Sequence, residues 1–315
     1  MLAEQLRSGL VETSHDGAVA VVTSDGALIA SWGDIDRPFF IRSAAKPFQA
    51  LVSQEAGASL DPLELAMASA SHRGFPVHVA LVQSMLDGAG VDESALQCPH
   101  DWPLSSVAAR VVMALGAEHM RRIWHNCSGK HAGFLRACVA SDWPLESYLA
   151  PEHPLQRRVI ALTSELGEFS VEPVGVDGCG APVLRTTARA MGLMFARLGS
   201  LDDFSEVFSA MHRYPSLVGV NGAGDTEIAI ATNSAAKGGA AGCIGVSAAG
   251  RFGLAVKSWD GLGSIASLAA VSALDQLGAL TPNALAVLDP VLHPPVLGGG
   301  GVVGRFEPRL TLKTA

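Results

Sequence analysis

The chain has 315 residues, 49% of them hydrophobic and 17% charged, enough to bury a sizeable core in one large α/β domain or two moderate ones. Its net charge is −8 and its 22 basic residues are scattered, which argues against nucleic-acid binding by phosphate neutralisation. No uncharged apolar run reaches membrane-spanning length, and the N-terminus lacks a basic start followed by an apolar core, so the expectation is a cytoplasmic protein with no membrane partner.

In chain order, Ala18–Thr23 and Ala27–Trp32 are short, apolar runs joined by Ser24-Asp25-Gly26, a hairpin signal. A third run, Pro38–Arg42, leads into Ser43, after which Ala44–Gln54 has helical apolar spacing. Asp61-Pro62 opens a helix through a capping residue and an early proline. Further helices are expected over Val77–Leu86, Ser106–Leu115, Lys130–Ala140, Pro154–Leu166, Pro182–Leu198 and Phe204–His212. The last third returns to strands at Gly242–Ser247 and Gly253–Lys257, flanking a turn at Ala248–Arg251. An Ala-rich helix over Ser264–Leu277 follows, then a Gly298–Gly301 turn before a strand at Val302–Phe306. Strands at both ends around a helical middle predict an α+β (mixed α/β) fold. Its antiparallel sheet is built from both chain ends, and a helical lobe lies beside it. The expected organisation is one domain over residues 1–315, with a sheet lobe from about 1–60 and 235–315 and a helical lobe from about 61–234.

Five segments concentrate chemistry. Arg42-Ser43-Ala44-Ala45-Lys46 places a hydroxyl and an amine three residues apart, on one helical face, where a strand gives way to a helix. A neutral Lys46 there can take the Ser43 proton, as in SxxK acyl-transfer enzymes. Ser71-His72-Arg73-Gly74 follows a run of small residues that suits close backbone approach. His125-Asn126-Cys127-Ser128-Gly129-Lys130-His131 sits just ahead of a helix, with Cys127 and Lys130 on one face; Cys127 reads either as a soft metal ligand, as a nucleophile or as a buried thiol. Val176-Asp177-Gly178-Cys179-Gly180 allows close ligand approach, and Asp177 can hold a substrate ammonium. Lys237 lies in Ala236-Lys237-Gly238-Gly239-Ala240, and Lys257 ends an apolar strand, where partial desolvation lowers a lysine's proton affinity. The five cysteines are odd in number, widely spaced and without CxxC pairs, so neither a disulfide framework nor a local zinc motif is indicated. Gly298–Gly301 does not match a dinucleotide fingerprint.

Together, RSAAKPFQA, ASHRG, HNCSGKHAGF, VDGCGAP, KGGA and AVKSWDG, running from Arg42 to Gly261, resemble the rhizobial-type L-asparaginase (asparaginase II) family. The resemblance implies a serine β-lactamase-like fold, a homodimer and hydrolysis of L-asparagine to L-aspartate and ammonia. It implies Ser43 as nucleophile with Lys46 as its base, and Ser71 with Lys257 as a second pair. It also implies a zinc ion held by Cys127, Lys130 and Cys179, with Arg42, His125, Asn126, Asp177 and Gly178 around the substrate. The sequence departs from the family pattern at Phe75, where Glu is usual after SHxG, at Asp101 for His, and at Ala241 for Glu. Serine–lysine chemistry on a β-lactam, a peptide or another amide is the competing enzymatic reading. A non-catalytic zinc- or amino-acid-binding protein is the competing non-enzymatic one.

Overall fold

Both ends of the chain meet in one antiparallel sheet. The computed structural model describes residues 1–116, 119–248 and 250–315. Its six-stranded sheet runs, edge to edge, Lys313–Thr314, Leu28–Trp32, Gly17–Val22, Phe252–Ser258, Cys243–Ala248 and Ser234–Gly239. A second, four-stranded sheet joins Pro295–Gly298, Gly301–Pro308, Ala3–Arg7 and Leu10–His15. The fold is therefore mixed α/β with antiparallel sheets.

The central strand explains the layering. Gly17–Val22 is buried along its whole length, and its side chains alternate between two cores. Ala18, Ala20 and Val22 face one core and Val19 and Val21 the other. The Ala188–Leu198 helix covers the first face and Gly263–Gln276 the second. The helix over Ala188–Leu198 comes so close that only glycine fits opposite it. A Cβ on Gly253 would lie 2.0 Å from the Gly192 carbonyl oxygen and 2.2 Å from the Ala196 nitrogen.

The hairpin expected at Ser24-Asp25-Gly26 forms between Gly17–Val22 and Leu28–Trp32. The helix after Asp61 starts at Pro62 with a full capping box, in which Asp61 accepts from Leu63 and Glu64 amides and Glu64 accepts from Asp61. The helix expected from Pro182 begins only at Ala188. Pro182–Val183 and Arg185–Thr186 instead pair with Gly175–Val176 and Phe39–Phe40, and Thr187 caps the helix by accepting from the Ala190 amide. That helix packs on the sheet rather than within a separate helical lobe. The expected third run shortens to Phe39–Phe40 for the same reason. Within the turn expected at Ala248–Arg251, Ala249 lies outside the described residues. The structure adds strands at Ala3–Arg7 and Leu10–His15 and the helix Pro282–Leu292 to the elements expected above.

Gly253→Ala is expected to destabilise the fold by about 3 kcal/mol, because the added methyl meets backbone that cannot rotate away. Urea denaturation checks this; a loss below about 0.5 kcal/mol would mean the helix–sheet contact is not tight.

Candidate active site

The edge strand Ser234–Gly239 borders a cleft of about 590 Å³ whose walls include Ser43, Ser71, Asn126, Asp225 and Lys237. Ser43 sits in a short 3₁₀ turn, Arg42–Ala45, that feeds directly into the Lys46–Glu55 helix. The turn lies against the edge strand, and glycine permits this: a Cβ on Gly239 would be 2.6 Å from the Ile41 carbonyl oxygen. Arg42 has φ +53°, the left-handed region, which costs a non-glycine residue on the order of 1 kcal/mol. Its Nε lies 2.7 Å from Asp177 Oδ1, so an ion pair holds the strained residue immediately before Ser43. Arg42 and Asp177, expected around the substrate, thus engage each other. Gly178 is exposed and not part of the cleft wall.

Lys46 is 1% exposed, and its amine is fully occupied. It donates to the Ala70 carbonyl at 2.5 Å and the Asn126 carbonyl at 3.3 Å, and lies 3.1 Å from Ser71 Oγ. Two positions on Nζ are therefore spent on carbonyls, and the third addresses Ser71 rather than Ser43. Ser43 Oγ has no hydrogen-bond partner among the described residues. This pairing differs from the one that the family resemblance implies.

Lys257 also lies elsewhere. It stands across from Cys243 in the neighbouring strand, and its amine donates to the Ala241 and Ser258 carbonyls, close to the Phe39 and Trp259 rings. The second lysine of the cleft is Lys237. It is 1% exposed, donates to the Gly238 carbonyl at 2.8 Å and lies 3.7 Å from Asp225 Oδ2. Burial pushes Lys237 down to about 8; Asp225 opposes the shift and Lys46 adds to it. Asp225 also accepts from the Gly238 amide at 2.8 Å, fixing the end of the edge strand. The sequence signal for Lys237 is one cation among small buried residues in a strand, followed by Gly-Gly.

Behind the cleft lies a polar cluster. His72 Nδ1 accepts from the Gly74 amide at 3.1 Å, so Nε2 carries the proton and donates to Ser128 Oγ at 2.8 Å. Burial holds His72 well below its ordinary value, with further contributions from His78, Lys46 and His125. His125 Nδ1 accepts from the Cys127 amide at 3.1 Å, and burial lowers its proton affinity too. Cys127 is the N-cap residue of the Ser128–Ala140 helix, and Lys130 lies in its first turn with its amine 3.1 Å from Cys179 Sγ. The hydrogen bond from the Cys127 thiol keeps Cys179 far below the ordinary thiol value, against the effect of burial, with Lys130 helping. The same contact, and burial, raise Cys127. Two sulfurs and the Lys130 nitrogen thus converge in a buried spot beside Asn126.

Among the described residues no three His, Cys, Asp or Glu side chains converge as a metal site. Cys127 and Cys179 offer buried sulfur donors of the kind zinc takes; burial lowers the proton affinity of Lys130, but the Cys179 and Cys127 sulfurs raise it on balance, so Lys130 fits a metal only after giving up its proton.

A family model described as L-asparaginase II matches residues 3–308. The chain belongs to this family. No curated protein sequence matches it. Among solved structures, the native form of Mglu aligns at 16% identity over 83% of this chain and 64% of that one, with TM-score 0.45. Mglu in its L-glutamate binding form, in 4.3 M NaCl, aligns at 17% over 88% and 63%, with TM-score 0.48. The chain thus spans a little under two-thirds of either Mglu chain. Ser43, Ser71, Asn126 and Lys237 line one cleft, with the Lys46 amine against Ser71.

Any reaction in this cleft that needs Lys237 as a free amine is expected to speed up about tenfold per pH unit up to about pH 8 and then level off, because the protonated form prevails below that value. Lys237→Met should abolish this limb. A wild-type rate that falls as pH rises through 8 would contradict the assignment.

Proposed function

We propose that the chain is an L-asparaginase that hydrolyses L-asparagine to L-aspartate and ammonia through a serine acyl-enzyme. The observation that carries this reading is the single cleft shared by two serine hydroxyls and a buried lysine of lowered proton affinity, in a chain of the L-asparaginase II family. Ser43 Oγ attacks the side-chain amide carbon. Lys237 takes its proton, because it retains a free position on Nζ where Lys46 does not. The tetrahedral oxyanion is stabilised by backbone N–H groups at the head of the Ser43 turn. The proton then passes to the departing nitrogen, which leaves as ammonia, and water hydrolyses the ester. Lys46 fixes Ser71, which hands protons between the amines and the substrate. Asn126 contributes amide hydrogen bonds from the cleft wall.

In this reading the fold is serine β-lactamase-like, with residues 1–315 as one domain. Cys127 and Cys179 would hold a zinc ion with Lys130 bound as its free amine, and the ion would supply positive charge beside the substrate's polar groups. The residues round it keep their own tasks: Arg42 and Asp177 brace the Ser43 turn, His125 positions Cys127, and Lys257 ties the Phe252–Ser258 strand to the Ala241 turn. The protein acts as a homodimer in the cytoplasm, where a reducing environment keeps Cys127 and Cys179 free of disulfides.

Ammonia release from L-asparagine and from L-glutamine, before and after chelation, tests this. Asparagine is expected to be the better substrate, Ser43→Ala to lose at least about a thousandfold in kcat/KM, and chelation to raise KM. An undiminished rate in Ser43→Ala rejects the nucleophile, and unchanged kinetics after chelation rejects the zinc role.

A further inference from the structure

The cleft does not end at the serines. Past Arg73 it continues into a shallower groove of about 400 Å³ that shares Arg73, Leu104 and Val220 with it and adds Phe75. The inner cleft alone lies within the roughly 300–1,000 Å³ that holds drug-sized ligands, far beyond what one amino-acid amide fills. The groove is built, not incidental. The Ser105 amide donates to the Arg73 carbonyl at 2.9 Å, and Gly74 packs so tightly on Pro103 that a Cβ would lie 2.8 Å from Pro103 Cβ. These contacts fix Leu104 beside Arg73. Leu104 is 51% exposed, an apolar side chain left uncovered on a wall that also carries Phe75. The Arg73 guanidinium, half-buried between cleft and groove, has no carboxylate partner among the described residues.

An unpaired guanidinium flanked by uncovered apolar side chains complements a carboxylate on an apolar residue. We infer that Arg73, Phe75 and Leu104 form an outer subsite for the C-terminal residue of a β-aspartyl dipeptide, so that the protein also cleaves the side-chain amide bond joining aspartate to an apolar amino acid. This rests on the acyl-enzyme reading above. Ser43 Oγ bonds to the β-carbonyl carbon and its proton passes to Lys237. The C–N bond breaks as the departing nitrogen takes that proton, releasing the free amino acid in place of ammonia. Water adds to the ester, a proton returns to Ser43 Oγ, and aspartate leaves.

The test compares β-aspartyl-leucine, its C-terminal amide and L-asparagine as substrates. The wild type should release leucine from the acid and favour the acid over the amide by about tenfold or more in kcat/KM, the effect of one charge-assisted contact. In Arg73→Gln that preference should shrink below about threefold. The acid–amide comparison is made within the wild-type protein, so it stands even if the variant fails to fold. Ammonia from asparagine without leucine from the dipeptide, or equal cleavage of acid and amide, overturns the outer subsite and leaves the asparaginase reading intact. Leucine release without ammonia supports the subsite and overturns asparagine as the substrate. Neither product overturns both.

Discussion

The site depends on how one buried amine is satisfied. An ammonium or amine taken out of water costs several kcal/mol unless its donors are matched, and Lys46 has only the partners the fold delivers. Those partners come from two distant loops: the Ala70 carbonyl and Ser71 hydroxyl from one, the Asn126 carbonyl from the other. The contact therefore fastens the Ser43 helix, the Ser71-His72-Arg73-Gly74 loop and the approach to the Cys127 helix at one point. The backbone repeats the tie, since the His72 amide donates to the Asn126 carbonyl at 3.2 Å and the Ser71 amide to the Val218 carbonyl at 2.9 Å.

On this frame the two lysines divide their work by coordination. Lys46 has all its Nζ positions assigned and serves as a strut that aims Ser71. Lys237, on the edge strand, has one short carbonyl contact and a carboxylate at longer range, so it keeps room to exchange a proton. Burial supplies the lowered affinity, and Asp225 limits it. The strained Arg42, pinned by Asp177, links the Ser43 turn to the Cys179 loop, so the thiol cluster and the nucleophile share one mechanical support.

Much of this was legible where chemistry is written in adjacent residues. Ser43, Ser71 and Asn126 reach one cleft, and Cys127, Lys130 and Cys179 converge, as the contiguous motifs suggested. A strand-end lysine such as Lys257 looks the same in sequence whether it meets a cleft or a neighbouring turn; only the register decides. Cys243 stands opposite both Gly239 and Lys257, which puts Lys257 on the interior strand Phe252–Ser258 and leaves Lys237 at the edge. The helix expected from Pro182 lost its first turn to long-range pairing with Phe39–Phe40 and Gly175–Val176, partners that no local pattern reveals. The first strands carry no sequence signal because Leu10–His15 is largely exposed and lacks apolar alternation, and Pro290 inside Pro282–Leu292 masks that helix.

The account turns on which hydroxyl attacks. An asparagine analogue carrying a diazomethyl ketone in place of its amide alkylates the attacking group, and peptide mapping by mass spectrometry locates the adduct. The label should fall on Ser43 and disappear with L-asparagine in excess. A label on Ser71 or on the Cys127 or Cys179 thiols, with Ser43 unmodified, would contradict the arrangement described above.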